Sequence, residues 1–546
     1  MIGDELIFQI EQHFGHVPTE EQRQALRLFA DFMTDRGLQA GDSSTSRHRG
    51  GIGDAVMILR GSAGTGKTTL AAAIVRGLLA LNQKLVLMAP TGRAAKVFAN
   101  YSGHDAHTIH RRIYRQKTAG DMSAFSLNVN LSTDTLFVVD EASMISRRGG
   151  NEIFGSGSLL DDLIQFVYNG QNCRLLLIGD KAQLPPVGET ESPALTAGVL
   201  RGYGLRVYET DLVEVLRQSQ ESGILWNATK IREYESTISS QFTVHSSQAP
   251  SSLLLPPSSP VPPPSSLLLP PKIKTAGFSD ICRMPGDELI ESLASSYSRV
   301  GMDETMVVTR SNKRANIYNQ GIRNTVLDRE DELCRGDHIM IVKNNYSLTP
   351  NPSPKERGVY SSATNNSCNG SIYSPLLGRG VGGEAPSFIA NGDMAVVQRV
   401  RNIHSLYGFR FAEVTMTFPD YNDYELTAMV LLDTLTSEAP ALTREQQEQL
   451  FERVMDDYQD IPFKADRLKK IKEDKYYNAL QIKFAYAATC HKTQGGQWAH
   501  IYIDQGYITE DMLTSDYYHW LYTALTRATE KVFLVNWPEE FTVQSS

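Results

Sequence analysis

The sequence predicts an α/β fold with parallel sheets, and three observations carry that expectation. A short apolar strand at 56–59 leads through a glycine-rich loop into an Ala/Leu-rich segment, 69–81, of helical character. Further apolar runs of strand length recur at 85–89, 136–139, 174–178 and 305–308. A polar turn or a helical stretch follows each run, the alternation that a parallel sheet requires.

With 546 residues, the chain is too long for a single hydrophobic core, and roughly two to four domains are expected. No apolar run approaches the ~18 residues of a membrane span. The start, Met1-Ile2-Gly3-Asp4-Glu5, is acidic and lacks the basic-then-apolar order of a signal peptide, so a cytoplasmic location is expected. Five cysteines are scattered without a C-x-x-C pair, which argues against a zinc ribbon, an iron–sulfur cluster or a disulfide framework. The net charge of −9, from 53 basic and 62 acidic residues, disfavours a protein that coats nucleic acid. A basic cleft within an acidic shell remains compatible with it.

The loop after the first strand reads Gly61-Ser62-Ala63-Gly64-Thr65-Gly66-Lys67-Thr68, followed by Thr69. It fits G-x-x-x-x-G-K-[ST], in which backbone N–H groups close around phosphates. The lysine reaches the β- and γ-phosphates, and the hydroxyl of the last residue ligates Mg²⁺. The helix that follows aims its N-terminus at the same phosphates. ATP and Mg²⁺ are therefore the expected ligands.

Such a site needs a second carboxylate cluster. The run Leu136-Phe137-Val138-Val139-Asp140-Glu141 delivers two acids at the carboxyl end of a strand, the edge where α/β sheets bind ligands. Asp140 suits Mg²⁺, and Glu141 suits orienting or deprotonating a water. A third strand ends at Gly179-Asp180 and is followed by Gln183, whose neutral amide both donates and accepts. Either feature alone would also suit an ordinary solvated strand end.

In order along the chain, these pieces resemble superfamily 1 helicases, and most closely the RecD-like branch, superfamily 1B. Gly61 to Thr68, Ala89-Pro90-Thr91-Gly92-Arg93-Ala94-Ala95-Lys96, Thr108-Ile109-His110, Asp140-Glu141-Ala142-Ser143-Met144 and Gly179-Asp180-Lys181-Ala182-Gln183-Leu184 resemble motifs I, Ia, Ib, II and III. Val215-Leu216-Arg217-Gln218 resembles motif IV. Ala488-Thr489-Cys490-His491-Lys492-Thr493-Gln494-Gly495-Gly496 and Tyr522-Thr523-Ala524-Leu525-Thr526-Arg527-Ala528 resemble motifs V and VI. Upstream, Pro18-Thr19-Glu20-Glu21-Gln22 resembles the adenine-reading Q motif.

The resemblance implies two RecA-like domains with ATP between them and Gln22 on the base. Lys67, Glu141, Gln183, Arg217 and Arg527 would be catalytic, the two arginines as fingers on the γ-phosphate. Thr68 and Asp140 would hold the metal. Pro90, Thr91, Thr108, His110, Thr489 and His491 would grip a DNA strand through its phosphates. The family carries a strand-splitting pin between motifs Ib and II. Here 111–134 would form it, a hairpin turning near Gly120-Asp121 with Phe125 as candidate wedge. The runs 334–345 and 389–397 resemble the small SH3-like barrel of these helicases. In one departure from the pattern, Gln497 stands near a place where the family often has an acid.

The expected layout is a first RecA-like domain over 1–215, a second over 216–330 and 480–546, and an SH3-like domain over 331–479. Two low-complexity stretches, 239–274 and 347–386, read as extended insertions, and the polar run 41–53 is similar in character. The implied activity is an ATP-dependent DNA helicase moving 5′→3′ on single strands, acting on single-stranded DNA and junctions as a monomer. The alternatives are a single-strand translocase or ATPase subunit without autonomous unwinding, and a nucleotide-switched scaffold.

Overall fold

The computed structural model describes residues 2–35, 54–116, 125–148, 155–215, 221–246, 272–343, 389, 391–421 and 423–543. Arg217, the run 41–53 and most of the two low-complexity stretches lie outside these residues. The chain forms two compact units, Met1–Glu330 with Ala485–Ser546, and Asp331–Phe484.

The first unit contains two parallel sheets. The N-terminal sheet has six strands: β1 (Ala55–Gly61), β2 (Lys84–Ala89), β3 (Ala106–Thr108), β6 (Thr135–Val139), β7 (Arg174–Gly179) and β8 (Arg206–Leu212). Their order is β3-β2-β6-β7-β1-β8, and every pairing is parallel. All of β1 and β6 is buried, as unbroken apolar runs require when helices cover both faces of a sheet. Leu70, Ile74 and Leu78 of the helix Lys67–Ala80 pack with Ile10, Leu26 and Phe29 from the two N-terminal helices. The second of these, Glu20–Thr34, opens with a capping box. The Thr19 N–H donates to Gln22 Oε1 at 3.0 Å, and the Gln22 N–H donates to Thr19 Oγ1 at 3.3 Å.

Between β3 and β6 lies an antiparallel pair, β4 (Tyr114–Gln116) and β5 (Phe125–Leu127), with Gln116 opposite Phe125. This is the hairpin expected within 111–134, although its turn falls outside the described residues.

The second sheet uses β9 (Ile281–Met284), β10 (Thr305–Thr309), β16 (Ala487–Thr489), β17 (Trp498–Asp504) and β18 (Ala528–Val535). Its order is β16-β10-β17-β18-β9, again all parallel. The helix Gly223–Ser246 precedes it. That helix corrects one expectation, because 239–246 is helical rather than extended. No proline or second glycine interrupts the run before Pro250, so nothing stops the helix at 239.

The second unit is a closed barrel of β11 (His338–Ile341), β12 (Met394–Leu406), β13 (Phe409–Phe418), β14 (Tyr424–Leu431) and β15 (Leu480–Phe484). The β14–β15 pairing is parallel, which demands a long crossover. Two helices the sequence reading did not foresee, Arg444–Asp456 and Lys464–Glu473, fill it. Their Leu450, Val454 and Ile471 bury against Phe409 and Phe411 of the barrel. Among the described residues, no helix is long and apolar enough to cross a membrane.

Candidate active site

The glycine-rich loop follows β1 directly. Gly64 and Gly66 hold φ of +79° and +77°, a backbone that a side chain would strain. The Thr65 hydroxyl donates to Ser62 O at 2.8 Å and closes the loop. Lys67 opens the helix, and its Nζ donates to Gly61 O at 3.1 Å. The first-turn amides of that helix thus face the loop, the arrangement that suits an anion.

Two carboxylates leave the end of β6. Asp140 Oδ1 accepts the Glu141 N–H at 2.9 Å, and Oδ2 accepts the Tyr101 hydroxyl. Burial, then the adjacent Glu141, push the Asp140 pKa upward. Glu141 is a non-glycine residue at φ +52°, a left-handed backbone that costs about 1 kcal/mol or more and is held by its surroundings. Its Oε2 is buried and accepts no hydrogen bond from the described residues.

The end of β7 supplies the third part. Asp180 is buried and accepts the Ala182 N–H at 2.9 Å. Burial raises its pKa. Gln183 is buried with Oε1 unpaired, and Gln22 is buried with Nε2 unpaired, among the described residues. Three buried polar atoms without internal partners, from Gln22, Glu141 and Gln183, suit a polar ligand that reaches all three motifs. The Thr68 hydroxyl and the Asp140 carboxylate are oxygen donors, the ligand type that Mg²⁺ takes.

The second sheet closes on this site through the helix Ser515–Leu525. His519 Nδ1 lies 2.9 Å from Ala182 O. The Tyr522 hydroxyl donates to Asp180 Oδ2 at 2.5 Å and accepts the Ala63 N–H at 2.8 Å. The Leu184 N–H donates to Thr523 Oγ1 at 2.8 Å, and Gln494 Nε2 donates to Leu184 O at 2.7 Å. Arg527 is buried just beyond the helix, where its guanidinium donates to Gly496 O and Thr523 O, each at 3.2 Å. Its Nη1 stands 4.0 Å from Glu141 Oε1. An arginine from one sheet therefore meets the acid delivered by the other.

The residues expected on a strand lie at the carboxyl ends of three strands. Pro90 and Thr91 follow β2, with Thr91 capping the helix Gly92–Ser102. Thr108 ends β3 beside Ala89 and caps the helix Ile109–Ile113, which contains His110. Burial holds the His110 imidazole down at about 4, so it is neutral at physiological pH. Thr489 ends β16 beside Thr309, and His491 follows it on the exposed side. The two groups approach each other at Gly495, which has φ +73°. A Cβ there would lie 2.9 Å from Ala94 Cβ and 3.1 Å from Thr91 Oγ1. The backbone carbonyl of Gln497 accepts Arg93 Nη2 at 2.7 Å.

Sequence reasoning missed Tyr101 and Tyr522 as parts of the site, and His519 and Thr523 as the contacts that hold the second sheet's helix against it. Tyr522 and Thr523 stand inside a motif-like run, but spacing does not reveal that a phenol reaches the phosphate loop. Tyr101 carries no motif signal, because only the fold brings its helix across Asp140.

A phosphate-binding loop after β1, a carboxylate pair at the end of β6 and an arginine from a second parallel sheet define a P-loop nucleotide-binding protein with two RecA-like sheets. Residues 38–240 match the AAA domain family, and residues 484–535 match the UvrD-like helicase C-terminal domain family. The chain is 32% identical over 135 residues to the ATP-dependent RecD2 DNA helicase of Deinococcus radiodurans and 28% identical over 187 residues to the ATP-dependent DNA helicase dda of Enterobacteria phage T4. It spans only 17% and 37% of those relatives' lengths, covering 25% and 32% of itself. The Pif1 helicase from Bacteroides, solved in complex with ADP-AlF3 and ssDNA, aligns at a TM-score of 0.41 and 13% identity over 97% of this chain and 95% of that one. In these two stretches the chain is similar to superfamily 1B, RecD-like helicases.

Proposed function

We propose that this chain is an ATP-driven motor on single-stranded DNA that unwinds duplex ahead of it in the 5′→3′ direction. The observation that carries the reading is the meeting of Arg527 and Glu141 across the two sheets. An arginine placed by one sheet beside the water-orienting acid of the other makes hydrolysis depend on how the sheets approach. Such an arginine contributes ~10³–10⁵ in rate in related phosphoryl-transfer sites. Each cycle of closure and reopening then becomes a step along the strand.

In this reading Lys67 and the loop amides of 61–69 bind the phosphates, and Gln22 holds the base through its unpaired Nε2. Thr68 and Asp140 hold Mg²⁺, which neutralises phosphate charge when bound. Glu141 takes a proton from the attacking water, Gln183 orients that water, and Arg527 with Arg217 meets the charge that develops on the γ-phosphate. Pro90, Thr91, Thr108, His110, Thr489 and His491 contact the strand backbone, which positions without reading sequence. The hairpin of β4 and β5 splits the duplex. A monomer in the cytoplasm completes the proposal.

ATP hydrolysis measured with and without single-stranded DNA, beside Lys67→Ala, tests the reading. DNA stimulation that the substitution abolishes is the expected result, followed by unwinding of a duplex with a 5′ tail and not of one with a 3′ tail. Hydrolysis indifferent to DNA would sink the motor and leave a nucleotide-timed switch.

A further inference from the structure

One side chain of the second sheet reaches into the phosphate loop itself. Tyr522 is buried on the helix Ser515–Leu525, and its hydroxyl both accepts the Ala63 N–H at 2.8 Å and donates to Asp180 at 2.5 Å. His519 lies three residues before it, and Thr523 next to it. They fasten the helix to Ala182 and Leu184 of the loop after β7. Of the three, Tyr522 is the one that reaches the phosphate loop, through Ala63.

Backbone N–H groups of this loop act by donating to phosphate oxygens. An N–H has one hydrogen, so a phenol oxygen and a phosphate oxygen compete for it. The phenol is also tied to a carboxylate that would sit beside the incoming phosphate. That bond leaves the hydroxyl a partner when the Ala63 N–H turns to a phosphate.

We propose that the Tyr522 hydroxyl is a latch that competes with a nucleotide phosphate for the Ala63 N–H, so that phosphate binding displaces that hydroxyl from the loop while the His519 and Thr523 contacts stay in place. This rests on the nucleotide-binding reading of 61–68. The latch gives the second sheet a direct response to the arrival of phosphate, separate from the arginine that acts during hydrolysis.

The test is equilibrium binding of a fluorescent ATP analogue with Mg²⁺ to the full chain, its Tyr522→Phe variant, Thr523→Val and Lys67→Ala. Phenylalanine keeps the ring's space and removes the hydroxyl, with both its hold on Ala63 and its donation to Asp180. Tyr522→Phe is expected to bind about threefold to tenfold tighter, the worth of one neutral hydrogen bond released from competition. Thr523→Val loosens the same helix without freeing Ala63, so its affinity is expected to match the unsubstituted protein. Unchanged or weaker binding by a Tyr522→Phe protein that melts cooperatively would overturn the latch. Equal tightening in Thr523→Val would overturn it too, since general loosening would then explain the gain. Absence of binding by the unsubstituted protein is a different result, and would remove the phosphate-loop reading together with the latch.

Discussion

The Arg93 guanidinium lies over the Trp498 ring, 4.4 Å from its centroid, and joins the helix Gly92–Ser102 of the first sheet to β17 of the second. Its Nη2 also donates to Gln497 O at 2.7 Å. A ring and a backbone carbonyl thus hold the same guanidinium. A partly buried cation–π pair is worth ~0.5–2 kcal/mol. Arg93→Ala should therefore lower stability by about 1–2 kcal/mol, read as a shift in the urea midpoint. In a double-mutant cycle with Trp498→Leu, the two losses should fail to add. Simple additivity would show that the stacking carries no energy.

Thr523 places a different kind of bond across the same junction. Its hydroxyl accepts the buried Leu184 N–H, and Thr523 itself is fully buried. Thr523→Val keeps the volume and leaves a buried donor unpaired, which costs ~1–3 kcal/mol. Thermal unfolding should register that loss, whereas Thr523→Ser should recover most of it.

How much of this was legible beforehand differs by element. The strand ends carrying Lys67, Asp140, Glu141 and Asp180 could be read directly, because apolar runs followed by glycines and acids leave few alternatives. The barrel was visible only as two fragments. Its parallel β14–β15 closure and the two crossover helices escaped because their sparse apolar residues, Leu450, Val454 and Ile471, bury against a distant hairpin. The helix continues to Ser246 because the prolines that argue for extended chain begin only at Pro250. The contacts of Tyr522 and His519 join positions more than 300 residues apart. No local periodicity encodes such pairs.

Glu141 tests the assignment of proton transfer. Its carboxylate is held at a left-handed backbone position with Oε2 unpaired. Glu141→Gln preserves shape and hydrogen-bonding reach but cannot accept a proton in the same way. Hydrolysis should fall by ~10²–10⁴, the usual contribution of general acid–base catalysis. Binding of a non-hydrolysable ATP analogue should change by less than about threefold on the same reasoning. Loss of binding in parallel with rate would instead make Glu141 a structural residue.

His519 gives a pH dependence with a defined sign. Burial lowers its pKa, but the Glu235 carboxylate 2.5 Å from Nε2 and the Ala182 carbonyl at Nδ1 outweigh burial and raise it. A histidine whose pKa is raised on folding binds its proton more tightly in the folded state. Its contribution is complete below the unfolded value near 6.5, and is lost as pH climbs through the higher folded value. The urea midpoint should therefore decline above pH 6.5 in the native chain. The decline should be smaller in His519→Gln, which donates to one partner without titrating. Identical slopes in the two proteins would show that another group sets the dependence.

Tyr101 is the residue whose role is least expected from the sequence. Its hydroxyl donates to Asp140 Oδ2, its carbonyl accepts Arg76 Nη2 at 2.6 Å, and its ring packs 5.2 Å from Phe98. Three contacts thus fix a phenol against the carboxylate proposed to hold Mg²⁺, while the Glu141 N–H fixes the other carboxylate oxygen. Partners of this kind orient a metal-binding group, and their removal costs ~10–100-fold in metal affinity. Because Asp140 keeps its backbone partner and no group in Tyr101→Phe touches the phosphates, the effect should be confined to the metal. The Mg²⁺ concentration for half-maximal hydrolysis should rise about tenfold, with the rate at saturating Mg²⁺ within about twofold of the native chain. Binding of Mn²⁺ in the presence of nucleotide, followed by its paramagnetic signal, should weaken by the same factor. A fall in the saturated rate with unchanged metal affinity would place Tyr101 in the support of Glu141 instead.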